Sequence, residues 1–258
     1  MYFKIKKMTL SKRNYLKGLC VAIAMVFAGF GSQAQELEFS GYFNGFLPVA
    51  EFNNAVDLMP YGQFTPINRT NIAKGASAGI GASLRVGMWL DVGANHWLLP
   101  YVEGSFLWNS TKAKYRDIYD NNPLNDSLQA LPKVPNYFNI PLQVGLKYRY
   151  DLTDIIRPFA EASLGYDVMI IAGNGYKGVP HNGSENFMHY SYKINGALSW
   201  TFGAGTYLGE NVTVGLYYID LGKHRIEYTS RSYSGDEASY SVEQRHLGEL
   251  ALRIGFHF

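Results

Sequence analysis

The stretch Tyr240 to Phe258, YSVEQRHLGELALRIGFHF, decides how the rest of the chain is read. From Leu250 onward, Leu250, Leu252, Ile254, Phe256 and Phe258 alternate with Ala251, Arg253, Gly255 and His257, and Glu249 stands just before them. A period of two with one apolar and one polar face is a strand placed between two different solvents. In a soluble sandwich the charged face would look at water. Here an unbroken apolar row runs to an aromatic end.

The opposite end of the chain has another character. Lys4, Lys6, Lys7, Lys12, Arg13 and Lys17 precede an apolar run from Gly18 to Gly31, and Ser32, Gln33 and Ala34 follow it. That order predicts a secretory signal over residues 1 to 34, cleaved after Ala34 to leave Gln35 first. The apolar run is shorter than the roughly 20 residues a membrane-spanning helix requires. Taking the six basic leader residues from a net charge of +2 leaves about −4, with no basic patch of the kind that binds nucleic acid. The only cysteine, Cys20, lies in the leader, so residues 35 to 258 have no thiol for disulfides, thiolate metal sites or cysteine catalysis.

Residues 35 to 258 form one predicted all-β domain, an eight-stranded antiparallel transmembrane β-barrel. Strand patterns run at 37 to 46, 76 to 92, 96 to 109, 137 to 150, 157 to 172, 189 to 208, 212 to 228 and 240 to 258. The linkers Gly93-Ala94-Asn95, Asp151 to Ile156 and Gly209-Glu210-Asn211 are short, and those at 47 to 75, 110 to 136, 173 to 188 and 229 to 239 are longer. Short turns at one end and long loops at the other match outer-membrane barrels, whose short turns and termini face the periplasm. The faces segregate strand by strand: Leu142, Val144, Leu146 and Tyr148 oppose Gln143, Lys147 and Arg149, and Leu164, Tyr166 and Val168 oppose Glu161, Ser163 and Asp167. Lys or Arg directed at the bilayer midplane costs about 2 to 4 kcal/mol, which is why a lipid-facing wall excludes them. Phe39, Tyr148, Tyr150 and Phe256 are expected in a lower aromatic girdle, and Phe106, Trp108, Phe138, Tyr190, Tyr192 and Tyr218 in an upper one.

The aromatic ending resembles the closing strand of bacterial outer-membrane barrels. That likeness implies recognition by the barrel assembly machinery through the strand ending at Phe258. Tyr137 to Asp167, YFNIPLQVGLKYRYDLTDIIRPFAEASLGYD, resembles the outer-membrane β-barrel domain family of Bacteroidota. The matching residues are Ile140, Pro141, Leu142, Lys147, Tyr148, Pro158, Phe159, Gly165 and Tyr166. The resemblance implies residence in the cell outer membrane among lipid and lipopolysaccharide. It brings no catalytic residue, cofactor or metal. Pro141 is expected to face inward, where a bulge would have to absorb its missing N–H.

The inward faces collect Glu38, Asp91, Glu103, Glu161, Asp167 and Glu249 against Arg85, Lys147, Arg149, Arg157, Lys193, Arg245 and Arg253. Eight strands enclose little more than their own side chains, so these groups are expected to pair as a plug. Inward Gly79, Gly81, Gly87, Gly203, Gly205 and Gly215 either make room for bulky neighbours or leave a narrow conduit for small or apolar solutes. The six histidines have no metal-ligand spacing. His189 and Ser191 share one side of a strand and resemble the His-x-Ser pair of the outer-membrane lipid A deacylases. Tyr192 replaces the Asn that follows the serine in that family, Gly203 stands near the place of its acid, and Glu185 is a loop residue. The resulting expectation is a non-enzymatic protein, structural or binding through its loops. Phe52, Met59, Tyr61, Phe64, Tyr115 and Tyr119 on those loops can form a ligand surface or fold down as a cap.

Overall fold

The computed structural model describes residues 34 to 54, 75 to 113, 136 to 172, 175 to 178, 186 to 231 and 237 to 258. The leader expected over residues 1 to 34 lies outside them, apart from Ala34, and so do Met59, Tyr61, Phe64, Tyr115 and Tyr119. The elements are β1 (Ala34–Val49), α1 (Ala50–Asn53), β2 (Ala76–Gly93), β3 (His96–Thr111), β4 (Asn136–Tyr150), β5 (Ile156–Ala172), β6 (Gly175–Gly178), β7 (Asn186–Tyr192), β8 (Asn195–Leu208), β9 (Val212–Arg231) and β10 (Glu237–His257). Eight strands close a ring in the order β1, β2, β3, β4, β5, β8, β9, β10 and back to β1. Every neighbouring pair is antiparallel. Among the described residues no helix is long and apolar enough to cross a membrane.

The ring has an inverted solvent pattern. Leu84 is 75% exposed and Leu216 69%, whereas Arg85 is 2% and Glu161 3% exposed. On β10 and the residue after it, Leu250, Leu252, Ile254, Phe256 and Phe258 are exposed, and Ala251, Arg253, Gly255 and His257 are buried. Only a hydrocarbon surrounding makes an apolar exterior around a charged core favourable. Aromatic rings lie on this outer surface, with Phe106 and Phe138 centroids 5.6 Å apart and Trp200 and Tyr218 5.2 Å apart. Tyr192, expected in the upper girdle, instead packs against the buried core, and the Tyr190 side chain lies outside the description.

The strand expected at 189 to 208 is divided at Lys193 and Ile194 into β7 and β8. Both parts hold one register against β9: Leu208↔Val212 and Trp200↔Asp220 in the wall, Tyr192↔Tyr228 above it. A Lys193 N–H donor to the Glu227 carbonyl at 2.9 Å bridges the break. β6, β7 and the outer ends of β9 and β10 thereby form a small sheet continuing one side of the barrel. Register shifts on β10 at Leu247/Gly248 and Ser241/Gln244 mark where this extension leaves the wall.

The short connections hold the other end together. Gly93, Ala94 and Asn95 have φ of 93°, 49° and 67°, the left-handed backbone that a tight hairpin demands. Adjacent turns are tied by backbone bonds from Asp151 N to Asn95 O, Gly209 N to Ile155 O and His257 N to Asn211 O, each 2.9 Å. No bulge accompanies Pro141. The β3–β4 ladder skips its position and resumes in register, from Gly104↔Leu142 to Leu107↔Asn139. The β2–β3 ladder does the same beside Pro100, from Gly87↔Tyr101 to Leu90↔Leu98. Leu90 is buried next to that opening.

Candidate functional site: the barrel lumen

Three tiers of side chains fill the lumen between the turn end and the loop end. At the turn end a cavity of about 350 Å³ is lined by Glu38, Trp89, Arg149, Tyr207, Glu210 and His257, among others. Glu38 accepts hydrogen bonds from Trp89 Nε1 at 2.7 Å and Ser40 Oγ at 2.6 Å, and its Oε1 lies 2.9 Å from His257 Nδ1. His257 Nε2 lies 3.0 Å from Thr213 Oγ1. A hydroxyl, an imidazole and a carboxylate in line are the parts of an activated nucleophile. Here the line is a structural network: Thr213 is buried at 2% exposure and is not in the cavity lining, and Ser40 Oγ shares Nδ1 at 3.0 Å. Arg149 stands with its Cζ 4.2 Å from the Trp89 ring centroid and its Nε 2.8 Å from Asp151 Oδ1. Sequence periodicity placed His257 and Glu38 on no common site, because their strands meet only through closure.

The middle tier is a charge cluster across the full width of the lumen. Arg85 Nη2 reaches Glu103 Oε2 and Glu161 Oε1 at 2.6 Å each, Arg253 Nη2 reaches Glu103 Oε1 at 2.8 Å, and Lys147 Nζ reaches Glu161 Oε2 at 3.3 Å. Three cations against two carboxylates leave positive charge over, and aromatic faces receive it. The Arg85 Cζ lies 3.7 Å from the Tyr101 centroid and 4.7 Å from that of Tyr42, and Arg253 Cζ lies 4.6 Å from that of Tyr217. Just above, Gln143 Oε1 accepts from Ser163 Oγ at 2.9 Å and Thr201 Oγ1 at 3.0 Å. Inward glycines make room for these rings. A Cβ on Gly203 would stand 2.0 Å from the Tyr217 ring, and one on Gly79 2.1 Å from the Phe46 ring. The space they provide is therefore occupied.

In the upper tier Asn109, Asn139, Asp167, His224 and Glu249 are all at 0% exposure. His224 Nε2 lies 3.1 Å from Asp167 Oδ2 and 2.9 Å from the Leu221 carbonyl oxygen. Asn109 Nδ2 donates to Ser77 O at 3.1 Å. Apolar side chains close this tier off: Phe52 of α1, Tyr137, Leu221, Ile226 and Leu247 are buried, with the Phe52 and Tyr137 rings 5.3 Å apart. Phe52 is thus part of a cap, the second of the two roles open to it. Outside the cap Glu51 Oε2 accepts from the His246 backbone N–H at 2.6 Å, and His246 Nε2 lies 2.7 Å from Asp220 Oδ2.

Glu38, Glu103, Glu161, Asp167, Glu249, Arg85, Lys147, Arg149 and Arg253 occupy the lumen as expected. Asp91 does not: it is exposed at the β2 irregularity between Asp91 and Gly93, and its Oδ1 accepts from Gly93 N at 2.7 Å. Lys193 is also exposed, 3.0 Å from Glu227 Oε2 in the outer extension, and Arg157 and Arg245 are half-buried. Beside Lys193, Glu227 is held below the ordinary carboxylate range by that ammonium group. Ser191 is exposed on β7, above the wall rather than in it; the His189 side chain lies outside the described residues. Among the described residues no group of three His, Cys, Asp or Glu is placed to hold a metal ion.

No family model matches the sequence. No curated protein gives a significant match. Solved outer-membrane proteins are similar over most of their length. A major outer membrane protein from Thermus thermophilus has a TM-score of 0.41 at 11% identity, covering 87% of this chain and 100% of its own. OprG from Pseudomonas aeruginosa has a TM-score of 0.43 at 10% identity, covering 88% and 97%. Ail, the attachment invasion locus protein of Yersinia pestis, has a TM-score of 0.38 at 10% identity, covering 86% and 97%. No residue role passes from these proteins to this chain.

Proposed function

We propose that the chain is a non-enzymatic integral outer-membrane barrel with a closed lumen, acting as a structural or binding protein through the loops and sheet above its wall. The carrying observation is the Arg85–Glu103–Glu161–Lys147–Arg253 cluster, buried and paired across the middle of the lumen. Moving an ion through it requires separating charges in a low-dielectric interior, a step of several kcal/mol. In this reading the short turns face the periplasm, the exposed apolar belt meets lipid and lipopolysaccharide, and the strand ending at Phe258 is read by the assembly machinery. The outer part of β9, paired to both β7 and β10, gives the surface loops a rigid support.

Single-channel recording of the barrel refolded from residues 35 to 258 tests this, with heat-modifiable gel mobility establishing that it folded. Silence in planar bilayers is the expected result. Steady conductance from folded barrels would overturn the closed lumen in favour of a narrow channel for small solutes.

A further inference from the structure

The upper tier contains buried polar atoms that lack protein partners. Neither carboxylate oxygen of Glu249 has a hydrogen-bond partner, nor does either amide atom of Asn139, nor Asn109 Oδ1. Glu249, Asn139 and Asn109 are each at 0% exposure. An uncompensated carboxylate in such surroundings is among the most costly burials a protein can make. These groups also belong together. Asn109 and Asn139 sit on adjoining strands, where Asn109↔Tyr137 and Leu107↔Asn139 are paired positions. Asn139 pairs with Met169 on β5, two residues from Asp167, and Pro141 pairs with Asp167 itself. Glu249 faces them from β10, near the Asn109 amide and the Asp167 carboxylate but without a well-formed hydrogen bond to either.

We propose that this tier is a binding site for one hard divalent cation of the calcium type, held by the carboxylate of Glu249, the amide oxygens of Asn109 and Asn139, and Asp167. The donors are oxygens, which hard cations prefer. His224 already engages Asp167 and the Leu221 carbonyl, and it serves as an orienting neighbour. Two carboxylates and a dication leave no net charge among these ligands. Calcium fits better than magnesium, because it accepts irregular oxygen shells and magnesium keeps several waters that this capped space must then hold. The site lies above the charge cluster and does not depend on whether the lumen conducts.

The test is metal content and melting of barrel refolded from residues 35 to 258 in detergent, free of lipopolysaccharide. One sample is refolded with EDTA and one with calcium, and both pass through gel filtration before elemental analysis. The expected result is about one retained calcium per chain. The melting temperature should rise by roughly 5 to 10 °C when calcium is a hundredfold above its dissociation constant. Glu249→Gln and Asn139→Leu should each abolish retention and the rise. Wild-type barrel that retains no calcium and melts alike in both samples would overturn the proposal. Retention undiminished in both variants would overturn it equally, placing the ion on loop carboxylates. Should one variant fail to fold, the wild-type metal content and the other variant still decide.

Discussion

The lower and upper halves of the lumen bury similar residue types in opposite ways. Below, the charged groups have partners: Arg85 touches two carboxylates, Lys147 adds the hydroxyls of Tyr42 and Tyr207 at 3.4 and 3.3 Å, and Glu38 has three side-chain partners. Above, amides and carboxylates converge with several of their polar atoms unpartnered, under an apolar cap. A network in which most groups are satisfied is rigid and specifies one arrangement. An unsaturated one keeps capacity for something else.

The contrast breaks most visibly at Arg85. Arg85→Ala leaves Glu103 and Glu161 buried with fewer partners and should cost about 3 to 5 kcal/mol in reversible urea unfolding in detergent. A loss below about 1 kcal/mol would mean that water already screens this tier and that it is not saturated. Gly203→Ala probes the packing of the same tier, because its new methyl group must displace the Tyr217 ring. A loss of about 1 to 3 kcal/mol is expected from the same unfolding curves. Asn139→Leu reports on the upper half and has the opposite sign: without calcium it removes unpartnered amide atoms and should leave stability equal or raise it by about 1 kcal/mol. A marked loss under EDTA would show that the amide is satisfied within the protein and that the two halves are alike.

Much of the wall was legible in the sequence because alternation reports which side of a strand a residue faces. Leu250 to Phe258 reads the same in letters and in space. Side is not height, however. That Arg85 meets Glu161, 76 residues away, depends on strand tilt and on the register accumulated around the ring, and neither leaves a periodic trace. The same limit hid the Glu38–His257 pair, 219 residues apart. Asp91 and Lys193 were misplaced because alternation holds only while the ladder does, and both stand where it falters. Phe52 was ambiguous for another reason: α1 is four residues long, and nothing so short has a period that reveals its buried side. The extended register of β7 and β8 was visible as one long pattern, but its break at Lys193 was not.

The ring is sealed where β1 meets β10, down to Phe258 N donating to Phe39 O at 2.9 Å and Phe39 N donating to Phe258 O at 3.4 Å. A closed ring differs from an open sheet in that its first and last strands depend on one another for their only missing neighbour. Until β10 is in place, the backbone groups along β1 face hydrocarbon with nothing to bond, a state the membrane interior penalises at every residue. Closure is consequently all or nothing: a chain shortened by one strand is an unsealed sheet rather than a smaller barrel. The clasp is the strand that lies furthest along the chain from the one it fastens, and insertion has to wait for it.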